Sequence, residues 1–220
     1  MEPLGTKVEE LVTDGGRTRL VLASAGVARD YLNLTSQALR VANDRPERLA
    51  RPHNRITAED VNEVSRHLAE QKEQDLVLDA GENADALRAR FSNLVTFCLD
   101  RNRTNVFLVE SSKLRETDWG RDIEALTELR FVHRISSVSV QSSNYRGRQF
   151  TAFTLDLSSY TGTRSERIRQ IDFWTTQGRQ ELRRVGLIYL PEQVVETGSG
   201  RDQLEAPVDW TQDPLPGISE

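Results

Sequence analysis

The chain of 220 residues is poor in cysteine and has no long apolar run. Its one cysteine, Cys98, cannot form an intramolecular disulfide, and a single thiol cannot anchor a cysteine-based zinc site. No run of eighteen apolar residues occurs, as a membrane-spanning helix would need. Residues 1–6 are neither basic nor followed by the apolar region of a signal peptide. We therefore expect a cytoplasmic protein with no membrane partner.

Residues that would form a recognisable catalytic centre are also scarce. The three histidines, His53, His67 and His133, show no His-x-x-x-His or His-Glu-x-x-His spacing. Only three lysines occur, and none follows the glycine-rich loop that holds nucleotide phosphates in P-loop proteins. No Gly-x-Ser-x-Gly nucleophile motif is present. The sequence therefore predicts that the protein is not an enzyme and has no metal site, no cofactor and no small-molecule substrate.

Apolar residues are few and charge is unevenly distributed. Apolar residues make up 37% of the chain and charged residues 29%, so part of the chain is expected not to fold. The formal net charge is -5, yet residues 144–184 contain eight arginines against four acidic residues. Residues 191–220 contain seven acidic residues, one arginine and no apolar periodicity. They predict an acidic, disordered tail, and residues 161–190 predict a basic extension with a helix over Arg164–Trp174.

Residues 1–80 show helical periodicity with little sign of β-structure, which predicts an all-helical domain. Thr57 and Asp60 have the spacing of an N-cap and the residue that closes a capping box. Gly15 and Gly16 are interpreted as the end of the first helix. The expected helices cover Thr6–Thr13, Arg17–Ser24, Val27–Asn43 and the stretch from Thr57 to about Leu78.

Residues 83–160 predict a compact module of helices and strands. Leu87, Phe91 and Leu94 lie at the spacing of one buried helix face, and alternating or β-branched segments predict strands. The order is helix Ala84–Asp100, strand Asn105–Val109, helix Ile123–Leu129, and strands Phe131–Ile135 and Phe150–Leu157 around a polar turn, Gln141–Arg148. This is the order of a winged helix. The predicted fold class is mostly α with a small β-hairpin sheet, as a helical bundle followed by a winged helix-turn-helix domain.

The first part of the chain resembles the lid of an AAA+ ATPase. The segment Ala25-Gly-Val-Ala-Arg-Asp30 lies between helices, and a glycine-x-x-arginine turn in such lids presents the sensor-2 arginine to nucleotide phosphates. Arg29 is the matching residue, and a helix-start pair of Arg29 with Asp30 in a surface ion contact fits the same positions. A lid that runs into a winged helix is similar to origin-recognition (ORC/CDC-type) ATPases, and the resemblance covers about Thr6 to Trp174. Because no P-loop string occurs, it implies the C-terminal part of such an ATPase. That part would engage ATP and magnesium only when paired with an ATPase core.

Basic residues near the turn of the predicted wing are the candidate DNA contacts. Exposed positions of the second helix include Asp122, Glu124 and Glu128, whose negative charge opposes insertion into a DNA groove. Arginines at a loop tip can contact phosphate or enter a minor groove. The candidate residues are Lys113, Arg115, Arg121, Tyr145, Arg146 and Arg148. An ordinary solvated hairpin tip fits the same residues.

Two partner classes follow from these patterns. The basic segment favours duplex DNA as the partner. The acidic second helix favours the alternative, a protein-interaction module that docks a partner, a second copy of the chain or an AAA+ core in another chain.

Overall fold

The computed structural model describes residues 8–45, 55–156, 158 and 168–195. This part is mostly α-helical with one small antiparallel sheet, so the predicted α+β class is confirmed. The helices are α1 (Val8–Leu11), α2 (Asp14–Ala23), α3 (Ala28–Asp44), α4 (Ala58–Ala80), α5 (Ala84–Val95), α6 (Lys113–Glu116), α7 (Asp118–Glu128), α8 (Thr176–Glu181) and α9 (Glu192–Val195). The strands are β1 (Val106–Glu110), β2 (Val132–Val138) and β3 (Phe150–Leu155).

Helices α2, α3 and the first half of α4 share one apolar core. Leu34 and Ala38 of α3 meet Val61 and Val64 of α4 there, at the spacing that the sequence indicated. The predicted capping box is confirmed, since the Asp60 carboxylate accepts from the Thr57 backbone N–H and the Thr57 hydroxyl faces the Asp60 N–H. Arg45 forms an ion pair with the same carboxylate, so the start of α4 is tied to the end of α3.

The interpretation of Gly15 and Gly16 as a helix end was wrong. Both lie in the first turn of α2, where the Thr13 hydroxyl accepts from the Gly16 N–H and caps the helix. A Cβ at Gly16 would lie 2.7 Å from the carbonyl oxygen of Ile56. Glycine is therefore required by the close approach of the chain before α4, and the signal that shows the helix start is Thr13 followed by Asp14.

The sheet has the strand order β1-β3-β2, and both of its faces are covered. On one face, Phe107 of β1 stacks on Phe153 of β3 at 5.4 Å between ring centroids, over a core that α5 and α7 also line. On the other face, Val106, Leu108 and Phe150 pack against residues from the C-terminal part of the chain. Antiparallel sheets commonly leave one face to solvent. In this sheet the second face is also covered, and the cover comes from a separate segment of the chain.

Residues 168–195 supply that cover. Ile171, Leu182 and Ile188 pack on the second face of the sheet, and Ile188 forms a parallel bridge with Leu108. Tyr189 is fully buried, and its ring meets those of Phe97, Phe107 and Trp119 edge-on. Residues 168–195 therefore belong to the same folded unit as the sheet.

The predicted helix over Arg164–Trp174 is wrong for the residues that the structure describes. Residues 168–174 contain no helix and include a bridge between Arg169 and Thr104. The spacing of Ile168 and Ile171 fits an extended crossing over the sheet as well as a helix turn, and the Arg169 N–H donates to the carbonyl of Arg103. The predicted disordered tail at residues 191–220 is wrong for residues 191–195, because they include helix α9 and Val194 is buried in the core beneath the sheet. Arg164, Arg167 and residues 196–220 lie outside the described residues.

Helix α4 joins the two cores. Its first half packs on α2 and α3, whereas Leu76 near its end belongs to the core beneath the sheet. Between them, the Lys72 ammonium forms a buried ion pair with Asp156 just after β3. None of the described helices is long and apolar enough to cross a membrane.

Candidate nucleic-acid interface

Two basic segments that are far apart in sequence meet at one end of the sheet. Glu110 at the end of β1 is in register with Phe150 at the start of β3, which pairs in turn with Val138 at the end of β2. The Ser111 N–H donates to the carbonyl of Gln149 at 2.9 Å. The β2–β3 loop (residues 139–149) therefore lies beside the start of α6, so the structure brings the five cations among the six candidate DNA-binding residues to one end of the sheet.

The β2–β3 loop is anchored by Tyr145. Its half-buried ring meets Phe150 edge-on at 5.7 Å, and the Arg148 guanidinium lies 5.7 Å from the Tyr145 ring centroid. Arg148 also pairs with Glu110 at 3.2 Å. Arg146 is exposed, and Gly147 beside it adopts a φ of +79°, which favours glycine. The loop thus presents Arg146 outward, while Tyr145 contributes mainly to packing.

Helices α6 and α7 carry the other three candidates, Lys113, Arg115 and Arg121. Lys113 lies 3.8 Å from Glu116, and Arg121 pairs with Asp118 while donating to the carbonyl of Arg115. Of these contacts, the bond from Arg121 to the Arg115 carbonyl joins the two helices. A Cβ at Gly120 would lie 2.1 Å from the carbonyl oxygen of Lys113, so only glycine fits there.

Two of these candidates have no acidic counterpart. Within residues 8–45, 55–156, 158 and 168–195, Arg115 and Arg146 form no ion pair with a carboxylate. Lys113, Arg121 and Arg148 each have one. The uncompensated positive charge of the candidate site therefore resides chiefly on Arg115 and Arg146.

Arg183 and Arg184 extend this basic region. The carbonyl of Arg183 accepts from the Gln141 N–H at 3.4 Å, which places the end of α8 beside the β2–β3 loop. Both side chains are exposed. The arginine excess of residues 144–184 was the sequence signal for them, but only the fold shows that they border the loop.

The exposed side of α7 is acidic, as expected, but two of its carboxylates are compensated. Asp122 pairs with Arg90 of α5 at 3.1 Å. One guanidinium nitrogen of Arg134 on β2 donates to both carboxylate oxygens of Glu124, at 2.6 and 2.7 Å. Glu128 is exposed. This side remains a poor surface for phosphate groups.

Arg29 lies apart from the other candidates, in a cleft between the helical part and the sheet module. The cleft of about 410 Å³ is lined by Arg29, Asp30, Asn33, Leu68, Lys72 and Arg130. Arg130 precedes β2, so the cleft lies at the end of the sheet opposite the β2–β3 loop. The Arg29 Nε is 3.6 Å from an Asp30 carboxylate oxygen and the side chain is exposed. Arg29 and Arg130 are the two arginines that line this cleft.

Lys72 contributes little free charge to this cleft, because Asp156 neutralises it. The Lys72 ammonium also donates to the carbonyl of Arg130 at 3.2 Å. Burial alone would raise the pKa of Asp156, but His133, Lys72 and the Ser158 N–H outweigh it and hold that pKa below its ordinary value. Arg130 has a φ of +63°, a strained backbone for a residue other than glycine.

No metal centre accompanies these surfaces among the described residues. No group of three or more histidine, cysteine, aspartate or glutamate side chains is arranged there to hold a metal ion.

No protein-family model matches the chain, and no curated protein or solved structure is significantly similar to it.

Proposed function

We propose that residues 84–155 form a winged-helix module and that the chain binds duplex DNA through the β2–β3 loop, which is the wing. The element order helix, strand, helix, helix, strand, strand and the sheet order β1-β3-β2 support this module. The observation that carries the function is the meeting of the wing with α6, since it gathers cations from two segments at one edge. Positive charge that is not neutralised by neighbouring carboxylates is available to phosphates.

The contacts should tolerate changes of DNA sequence. Base reading by a winged helix normally uses the exposed face of the second helix in the major groove, and α7 offers carboxylates there. The wing arginines can reach phosphates or a minor groove without base-specific contacts.

The test is the double substitution Arg146→Ala and Arg148→Ala. We expect weaker binding to a labelled duplex and a smaller dependence of the affinity on salt, because roughly one unit of salt slope is lost with each phosphate contact. Fluorescence anisotropy at two salt concentrations measures both quantities.

The matched control replaces two exposed arginines far from the wing, Arg17 and Arg66, with alanine. Each pairs with an acidic residue on its own helix, Asp14 and Glu70 respectively. The control should bind like the unchanged chain. Equal affinity of the wing variant and this control would refute the wing as the DNA contact.

Residues 1–80 are proposed to be the lid-like part of an AAA+ ATPase-type protein of the origin-recognition kind. The position of Arg29 at the start of α3, after the turn at Gly26 (φ +75°), supports a role in sensing an anionic ligand. Because the sequence contains no P-loop string, this chain would have no ATPase activity of its own. A nucleotide would be sensed only with a core supplied by another chain.

A second candidate function is that of a protein-interaction module. The acidic exposed side of α7 favours it, because such a surface repels nucleic acid and attracts a basic protein. The partner would be another protein, an ATPase core in another chain or a second copy.

A further inference from the structure

A groove with an apolar floor runs along α7. The end of α4, the start of α5 and one side of α7 enclose about 560 Å³. Its floor contains Ala80, Leu87, Ala125 and Leu129, and these residues belong to the core beneath the sheet or pack against it. The core thus reaches the surface in this groove.

Large apolar side chains are exposed next to the groove. Leu78 is 80% exposed and Val77 is 47% exposed, immediately before Asp79 and Ala80, which line the groove. Adjacent exposed apolar residues beside an apolar-floored groove are typical of a protein-binding surface.

The charged residues around the groove, which form its rim, indicate which kind of protein would bind there. Asp79, Asp118, Asp122 and Glu128 line the groove together with a single basic residue, Arg121. Asp118 is paired with Arg121 and Asp122 with Arg90. No ion pair is formed by Asp79 or Glu128 within the part of the chain that the structure describes. The rim therefore has uncompensated negative charge at two positions, which disfavours a nucleic acid here and makes Arg121 the least suited of the candidate DNA contacts.

We propose that this groove binds a basic amphipathic helix of a partner protein. Apolar residues on one side of that helix would cover Ala80, Ala125 and Leu129, and lysines or arginines beside them would pair with Asp79 and Glu128. Such helix-in-groove binding uses apolar anchors at i, i+3 or i+4, and i+7. The inference rests on the second candidate function and names its partner, and it is independent of DNA binding by the wing.

The probe is a fluorescein-labelled peptide of about sixteen residues with leucines at helical spacing and lysines beside them, titrated with the full chain. We expect saturable binding that weakens with salt. The substitutions Asp79→Lys and Glu128→Lys together should weaken it at least about tenfold, since they place like charges opposite the peptide. Ala125→Arg, which fills the floor of the groove, should abolish peptide binding.

The control carries Glu63→Lys and Asp44→Lys, two exposed acidic residues away from the groove, and should bind the peptide like the unchanged chain. A scrambled peptide of equal charge should bind at least about tenfold more weakly, because it presents no apolar side. Equal binding of the scrambled peptide, equal binding by the Asp79 and Glu128 variant, or no saturable binding would each overturn the proposal.

Two parallel measurements distinguish a failure of the groove proposal from a failure of either candidate function. Duplex binding of the same preparations reports on the wing alone. Native mass spectrometry with a P-loop subunit reports on docking in general. A complex with such a subunit, without peptide binding, would retain the second candidate function and reject the amphipathic helix.

Discussion

Asp156 and Lys72 form a buried charge pair between residues that are 84 positions apart. Replacing Asp156 with asparagine leaves the Lys72 ammonium buried without its counter-charge, which we expect to lower the free energy of unfolding by about 3 kcal/mol. Urea denaturation at neutral pH measures this change. Lys72→Met in the same background should restore part of the loss, and a double variant no more stable than Asp156→Asn would contradict the assigned pairing.

The same pair makes stability depend on pH in a defined direction. Because the pKa of Asp156 lies below its ordinary value of 3.8, its contribution is complete above that value and is lost as the pH falls through the lower, folded-state pKa. The Asp156→Asn variant should therefore show a weaker loss of stability on acidification than the unchanged chain.

Single residues also show where sequence reasoning succeeds and fails. Thr57 and Asp60 are three positions apart, so their capping box is readable from local spacing. The contact between Ser111 and Gln149 and the pair of Lys72 with Asp156 join distant positions, and no local pattern encodes them. The candidate cations could therefore be named from the sequence, whereas their convergence required the fold.

Among the elements, the segment of residues 168–195 has the largest consequence for stability. A chain ending after residue 160 would leave Val106, Leu108 and Phe150 exposed on the sheet and would lack Tyr189 in the core. We expect it not to fold, since each large apolar side chain loses roughly 1.5 to 3 kcal/mol of burial. Circular dichroism and amide NMR dispersion measure the result.

The matched truncation ends after residue 196, so it keeps α9 and removes residues 197–220 of the predicted acidic tail. It should retain the spectrum of the full chain. A well-dispersed spectrum from the chain ending at residue 160 would show that the sheet does not need its cover.

The long helices and the strands could be predicted because their apolar periodicity extends over several turns or pairs. Short or irregular elements could not. Helix α6 has four residues, too few for a periodic signal, and the π-helical stretch Thr96–Arg101 continues the side-chain pattern of α5. The extended stretch at 168–172 is paired with the rest of the chain through the bridge between Arg169 and Thr104, a contact that local sequence does not describe.

For the whole molecule, α4 links the helical part to the sheet module through two shared cores. Leu22 and Leu76 pack into the core beneath the sheet although they lie in the first eighty residues. We expect a single unfolding transition, with fluorescence of tryptophans such as Trp119 and far-ultraviolet circular dichroism giving the same midpoint in urea. Two separate midpoints would indicate that the predicted domains at 1–80 and 83–160 unfold independently.

The late position of the covering segment also affects how the chain is made. Leu108 is synthesised 80 residues before Ile188, its partner in the parallel bridge. At a synthesis rate of roughly 5 to 20 residues per second, one face of the nascent sheet stays uncovered for about 4 to 16 seconds. During that interval an apolar strand surface is open to other nascent chains, so the yield of folded protein should fall when elongation is slow or when many chains are made at once, and rise when chaperones are abundant.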